Sequence, residues 1–84
     1  MTIKLLYFAK LREALGTGGE ELALPAGVAD VAALRRHLAA RGDAWRGLEE
    51  SPSLRAAVNQ RLAGPEAVIA DGDEIAFFPP VTGG

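Results

Sequence analysis

The sequence contains no cysteine. No disulfide can staple the fold, and no thiol can act as nucleophile, redox centre or metal ligand, so stability must come from packing. Histidine is nearly absent too. His37 stands alone, with no second ligand group at helical spacing, which excludes an obvious metal site. A basic surplus is also missing: the formal net charge is -2 and the pI about 5.3. Nucleic-acid binders carry a basic face, so that class is set aside. No apolar run approaches the roughly 20 residues of a membrane helix. Met1 to Tyr7 is too short for a signal peptide and lacks a small-residue cleavage site. The expectation is a cytoplasmic chain that neither crosses a membrane nor binds nucleic acid.

What is present is globular. Hydrophobic residues make up 49% and charged residues 24% of the 84 positions. That length supports one domain, residues 1–84, with a modest core and little room for an internal cavity. A chain this small is expected to work on, or inside, something larger.

Thr2 to Phe8 reads as a strand, apolar on both faces, which suits a central strand covered on both sides. Ala9 to Leu15 reads as a short helix stopped by Gly16. Glu20 to Leu24 is a second strand, ended by Pro25 and Gly27. Asp30 is a good N-cap for the main helix, predicted from Val31 to about Arg41 with Gly42 at C′ and with Val31, Leu34 and Leu38 as its buried stripe. Arg35, Arg36, Arg41 and Arg46 read as a solvated helix face. Asp43 to Ser53 is expected to be irregular and pinned to the core by Trp45 and Leu48. Leu54 to Gln60 reads as a strand running into a turn at Asn59 and Gln60, with a short edge segment around Ala67 to Ile69. Asp71-Gly72-Asp73 is a turn signal, and Asp71, Asp73 and Glu74 read as its caps rather than as a cation site. Glu74 to Phe78 is the last strand, with Ile75 and Phe77 on one face and Ala76 and Phe78 on the other.

One long helix must cover one face of this sheet, and the two most apolar strands, first and last, should lie side by side in its middle. The predicted class is α+β: a β-grasp, or ubiquitin-like, fold with a mixed sheet of about five strands packed on one main helix.

The chemistry points to the tail, residues 79–84. Pro79 and Pro80 cannot continue a ladder, because proline has no amide proton to donate, and they favour an extended chain. Val81 and Thr82 are β-branched and favour extension as well. Gly83 and Gly84 lack side chains, so a narrow channel in another protein could admit them up to the terminal carboxylate. That carboxylate is ionised at neutral pH. It could attack the α-phosphate of ATP to form an acyl adenylate, which then accepts a sulfur or amine nucleophile. The chain has no phosphate-binding loop ending in Lys-Ser or Lys-Thr, so a partner must bind the ATP and this chain binds no cofactor.

The ending Phe77-Phe78-Pro79-Pro80-Val81-Thr82-Gly83-Gly84, with the Asp71-Gly72-Asp73-Glu74 turn before it, resembles the small subunit of molybdopterin synthase, the MoaD family. Leu6-Tyr7-Phe8-Ala9 with Leu11-Arg12-Glu13, Val31 to Leu38, and Ala57-Val58-Asn59-Gln60 resemble it too. The resemblance implies that an E1-like adenylyltransferase activates Gly84 and a sulfur donor protein converts it to a thiocarboxylate. Val81, Thr82 and Gly83 would then thread into the large synthase subunit, with Phe78, Pro79 and Pro80 at the interface. It further implies sulfur delivery to cyclic pyranopterin monophosphate, and a heterotetramer in which this chain donates sulfur without being an enzyme by itself. The rival readings are a carrier for thiamine or tRNA thiolation, a protein modifier conjugated through Gly84, and a plain binding module with an inert tail.

Overall fold

The computed structural model describes residues 1–79. Five strands form one mixed sheet in the order β2-β1-β5-β3-β4. They are β1 (Thr2–Tyr7), β2 (Gly19–Ala23), β3 (Arg55–Val58), β4 (Arg61–Ala63) and β5 (Glu74–Phe78). β1 and β5 run parallel in the middle, from Lys4↔Glu74 to Tyr7↔Phe77, and the other pairs are antiparallel. This is the predicted β-grasp arrangement.

The main helix, α2 (Val31–Ala39), lies across one sheet face. Asp30 caps it, its side chain accepting a hydrogen bond from the Ala33 amide at 2.8 Å. Val31, Leu34 and Leu38 are buried against Ile3, Leu5, Tyr7, Ala56, Ile75 and Phe77. Spacing of three and four residues on the helix meets spacing of two on the strands, so each element lends one face to a single core. The short α1 (Ala9–Leu15) is capped by Gly16, whose φ of 74° is left-handed and whose amide reaches the Arg12 carbonyl at 3.0 Å. Leu11 and Leu15 pack it against the core edge.

Several expectations need correction. The main helix ends at Ala39 rather than near Arg41, and Gly42, at φ 149°, is not a C′ glycine of the usual kind. The Arg41 amide bonds back only three residues, to the Leu38 carbonyl, so the chain tightens into a turn before Gly42 is reached. The stretch expected to be irregular contains a 3₁₀ turn (Asp43–Trp45) and a one-turn helix, α3 (Gly47–Glu50). Trp45 and Leu48 do pin it, and Leu48 is fully buried. The edge strand is β4, not Ala67–Ile69, where Val68 makes only an isolated bridge to Asp30. Asn59 and Gln60 both have positive φ, 52° and 69°, which gives a two-residue hairpin turn and lets pairing resume at once at Arg61. Finally, β1 is central but covered on one side only. The helices lie on the Ile3-Leu5-Tyr7 face, and the other sheet face stays open.

Of the arginines read as one solvated face, Arg36 is exposed as expected, but the other three are engaged. Arg35 is half-buried and donates from Nε to the Leu48 carbonyl and from NH2 to the Ser51 carbonyl, tying α2 to α3. Arg41 makes a two-pronged contact with Glu20, at 2.7 and 2.9 Å, and lies 4.6 Å from the Trp45 ring centre. Arg46 sits 3.6 Å from Asp43 and 3.5 Å from Glu50.

Candidate functional site: the open sheet face and the root of the tail

Strand alternation sends every second residue away from the helices. On β1 these are Lys4 and Leu6, with Phe8 just past its end. On β5 they are Glu74, Ala76 and Phe78. The register sets Ala57 of β3 opposite Ala76, and Leu62 of β4 opposite Ala57. The row Leu6-Ala76-Ala57-Leu62 therefore crosses the open face, floored by two alanines. Phe8 and Phe78 close it at the tail end. Phe8 is 46% and Leu62 68% exposed, whereas Phe77, one residue from Phe78, is fully buried. Such a contiguous apolar strip is a candidate contact surface.

The root of the tail is held by strand pairing. β5 is paired on the β3 side up to its last residue, Phe78 with Arg55, and on the β1 side up to Phe77, whose carbonyl accepts from the Phe8 amide at 3.2 Å. Ala9, at φ 55°, turns the chain out of β1 into α1 at this same end. Beneath the root, on the covered face, Tyr7 stacks on Phe77 with ring centres 6.4 Å apart and meets Trp45 edge-on at 5.6 Å. The Tyr7 hydroxyl donates to Glu20 at 3.1 Å. Hydrogen bonds from Arg41 hold the Glu20 carboxyl below the usual range; burial opposes them and the Tyr7 hydroxyl assists. Burial, then the Glu20 charge, pushes the Tyr7 hydroxyl well above its ordinary value, so it stays protonated and keeps donating.

At the opposite end, the Asp71-Gly72-Asp73 turn does what a turn should. The Asp73 carboxylate accepts from the Ala70 amide at 2.8 Å and the Asn59 side chain at 2.9 Å, bonds that lower its pKa in that order. Asp71 accepts from the Thr2 amide at 2.8 Å. Among the described residues, no cluster of three or more His, Asp or Glu side chains could hold a metal, and no helix is long and apolar enough to cross a membrane.

Of the residues singled out from the sequence, Phe78 and Pro79 are half-buried at the root. Pro80, Val81, Thr82, Gly83 and Gly84 lie outside the described residues. Phe78 does sit on the face opposite Ile75 and Phe77. Leu62 was missed because its strand was missed; the Asn59-Gln60 turn was the signal that could have found it.

The comparison with known proteins decides the kinship. The ThiS family pattern matches residues 5–84, nearly the whole chain. The chain belongs to the ThiS family. It is 51% identical over 82 residues to the molybdopterin synthase sulfur carrier subunit of Escherichia coli K12, covering 98% of this chain and 99% of that one. The corresponding Haemophilus influenzae subunit is 44% identical with the same coverage. In three dimensions the chain resembles SAMP1 of Haloferax volcanii, with a TM-score of 0.77 at 27% identity over the full length of both. The resemblance read from the tail and the strands is thus borne out, and so is the ubiquitin-like fold.

Proposed function

We propose that this chain is the sulfur carrier subunit of a molybdopterin synthase, with Gly84 as the carrying residue. The observation that carries the reading is end-to-end identity of 51% to a sulfur carrier subunit of that enzyme. The geometry supports it: the tail leaves from a central, doubly paired strand, beside an apolar face left open for a partner. In the proposed cycle, an E1-like enzyme adenylates the Gly84 carboxylate and pyrophosphate leaves. Sulfide-level sulfur released by a donor protein then attacks the acyl carbon and AMP leaves with the bonding pair, giving a thiocarboxylate. Val81, Thr82 and Gly83 thread into the large subunit, while Phe78, Pro79 and Pro80 seat the root, in a heterotetramer where this chain supplies sulfur and the large subunit supplies the catalytic site. The ATP is used by the activating partner, and the cycle belongs in the cytoplasm.

The test is the intact mass of the chain after incubation with an E1-like enzyme, ATP and a sulfur donor. A gain matching replacement of one oxygen by sulfur, mapped to Gly84, is expected. No gain, with the enzyme active on another carrier, rejects the reading. Deleting Gly84 should abolish sulfur transfer while the melting temperature stays within about 2 °C of the parent, the range of a surface change.

A second reading is favoured by one observation: SAMP1, named a small archaeal modifier protein in a second structure at 26% identity, has the same fold. In that case a lysine amine would capture the activated Gly84, and a ladder of conjugates would replace the thiocarboxylate.

A further inference from the structure

Arg55 shares its exposure with Arg12, Arg36 and Arg61, but among the arginines it alone stands on the open face beside the tail root. Arg35 is spent on two backbone carbonyls, Arg41 on Glu20 and Trp45, and Arg46 on Asp43 and Glu50. Arg55 is exposed, and among the described residues it makes no ion pair. The register places it directly beside Phe78, the last paired residue before the tail. Strand parity puts it on the open face together with Ala57 and Phe78.

The charges on that face are sorted by end. Glu21 and Glu74 both pair in register with Lys4, at the far end from the tail. Glu74 is four residues from Phe78 along β5, about 13 Å at roughly 3.3 Å per residue. That exceeds the screening length of about 8 Å at physiological salt. Arg55 also lines a groove of about 440 Å³ that runs from Leu62 round the β4 edge to Arg35 and Pro52, with no acidic residue on its walls. The open face therefore carries a lone cation, Arg55, where the tail leaves, and Lys4 with two carboxylates at the far end.

We infer that Arg55 is an electrostatic docking residue. It meets a carboxylate of the large subunit beside the opening that receives the tail, and so orients the chain tail-first on approach. The inference rests on the proposed function. An apolar strip floored by alanines has little to distinguish one direction from the other, whereas a single charge beside Phe78 does. An exposed rim charge acts mainly on association rate and salt dependence, and the anchor in the centre acts on dissociation. Arg55 is thus a positioning residue, with no part in the transfer step.

The experiment measures association of the full chain with the large subunit of molybdopterin synthase by stopped-flow fluorescence at low and high salt. It compares wild type with Arg55→Lys, Arg55→Gln and Arg55→Glu. At low salt, Arg55→Glu should slow association about tenfold, Arg55→Gln by roughly threefold, and Arg55→Lys hardly at all. These differences should vanish near 1 M salt, where the screening length is about 3 Å. The single-turnover rate of sulfur transfer in the preformed complex should not change. Equal association rates for all four proteins, or a slowing that persists at high salt, overturn the inference while leaving the proposed function intact. A wild-type chain that does not associate with the large subunit overturns both.

Discussion

Phe77 and Phe78 are neighbours in the chain and opposites in the structure. Phe77 is fully buried beneath α2 and stacked on Tyr7; Phe78 stands on the face that no helix covers. The same contrast runs through the central strands. Leu5 and Ile75 serve the fold, while Leu6 and Ala76, one position along, line the open strip. A sheet packed on one side lets a chain of 84 residues keep its folding surface and its proposed binding surface apart, though both are apolar. Changes on one face should move stability, and changes on the other should move partner affinity.

The largest effect expected is on the covered face. Phe77→Ala removes a fully buried ring and its stacking partner, and should cost about 3–5 kcal/mol. That is a large share of a small domain's total stability, so much of the protein should be unfolded at 37 °C. A shift in the urea midpoint checks it. A loss below about 1 kcal/mol would mean that the core does not depend on the Tyr7–Phe77 layer. Phe78→Ala should behave the other way. Stability should fall by less than about 1 kcal/mol, but the complex with the large subunit should lose about 2 kcal/mol, as for an aromatic interface anchor. Calorimetric titration reads the second and thermal melting the first. Unchanged affinity would remove Phe78 from the interface and erase the contrast between the faces.

Much of this division is written in the sequence. Alternation in Glu74 to Phe78 assigns Ile75 and Phe77 to one side and Ala76 and Phe78 to the other, and the i, i+3, i+7 stripe of Val31, Leu34 and Leu38 supplies the cover. Both Asp30 and Gly16 are legible as caps, because one needs a side-chain acceptor and the other a left-handed backbone. What was not legible depends on tertiary partners. β4 has only three residues and no pattern of its own; it exists because a tight turn delivers it to β3. α3 is a single turn held by Arg35 reaching to the Leu48 and Ser51 carbonyls. Arg41 looks like a solvated residue until Glu20, 21 positions earlier in the chain, is placed beside it. The two apolar sides of β1 read as a strand covered twice, whereas the single long helix, equally legible, already implied that one side is left open.

The polar latch under the tail root should show a smaller effect than the aromatic core. Glu20→Gln removes the charge that receives Arg41 while keeping the shape, and should cost about 1–2 kcal/mol at neutral pH. The sign of the pH dependence follows from the lowered Glu20 pKa. Unfolded, the carboxyl takes up its proton in the ordinary range near 4.3; folded, it resists until lower pH. The unfolded state therefore binds more protons through that window. The stabilisation is full above it and is lost as pH falls through the folded-state value. Urea midpoints of the two proteins should differ at pH 7 and draw together as the pH falls below the ordinary carboxylate range. A constant difference across that range would show that the latch works by shape and not by charge.

The smallest effect expected lies at the outer end of the open strip. Leu62 is 68% exposed on an edge strand of three residues. Leu62→Ser should change stability by no more than about 0.5 kcal/mol, since its side chain gives up little buried area. Its value is as a ruler for the partner's footprint. If the large subunit covers the whole row from Leu6 to Leu62, the substitution should weaken the complex by about 1 kcal/mol, less than Phe78→Ala because rim contacts contribute less than central anchors. An affinity equal to wild type would confine the footprint to the Phe8–Phe78 end. The β4 edge would then be left outside the contact, and the fold's two faces would differ only where the tail departs.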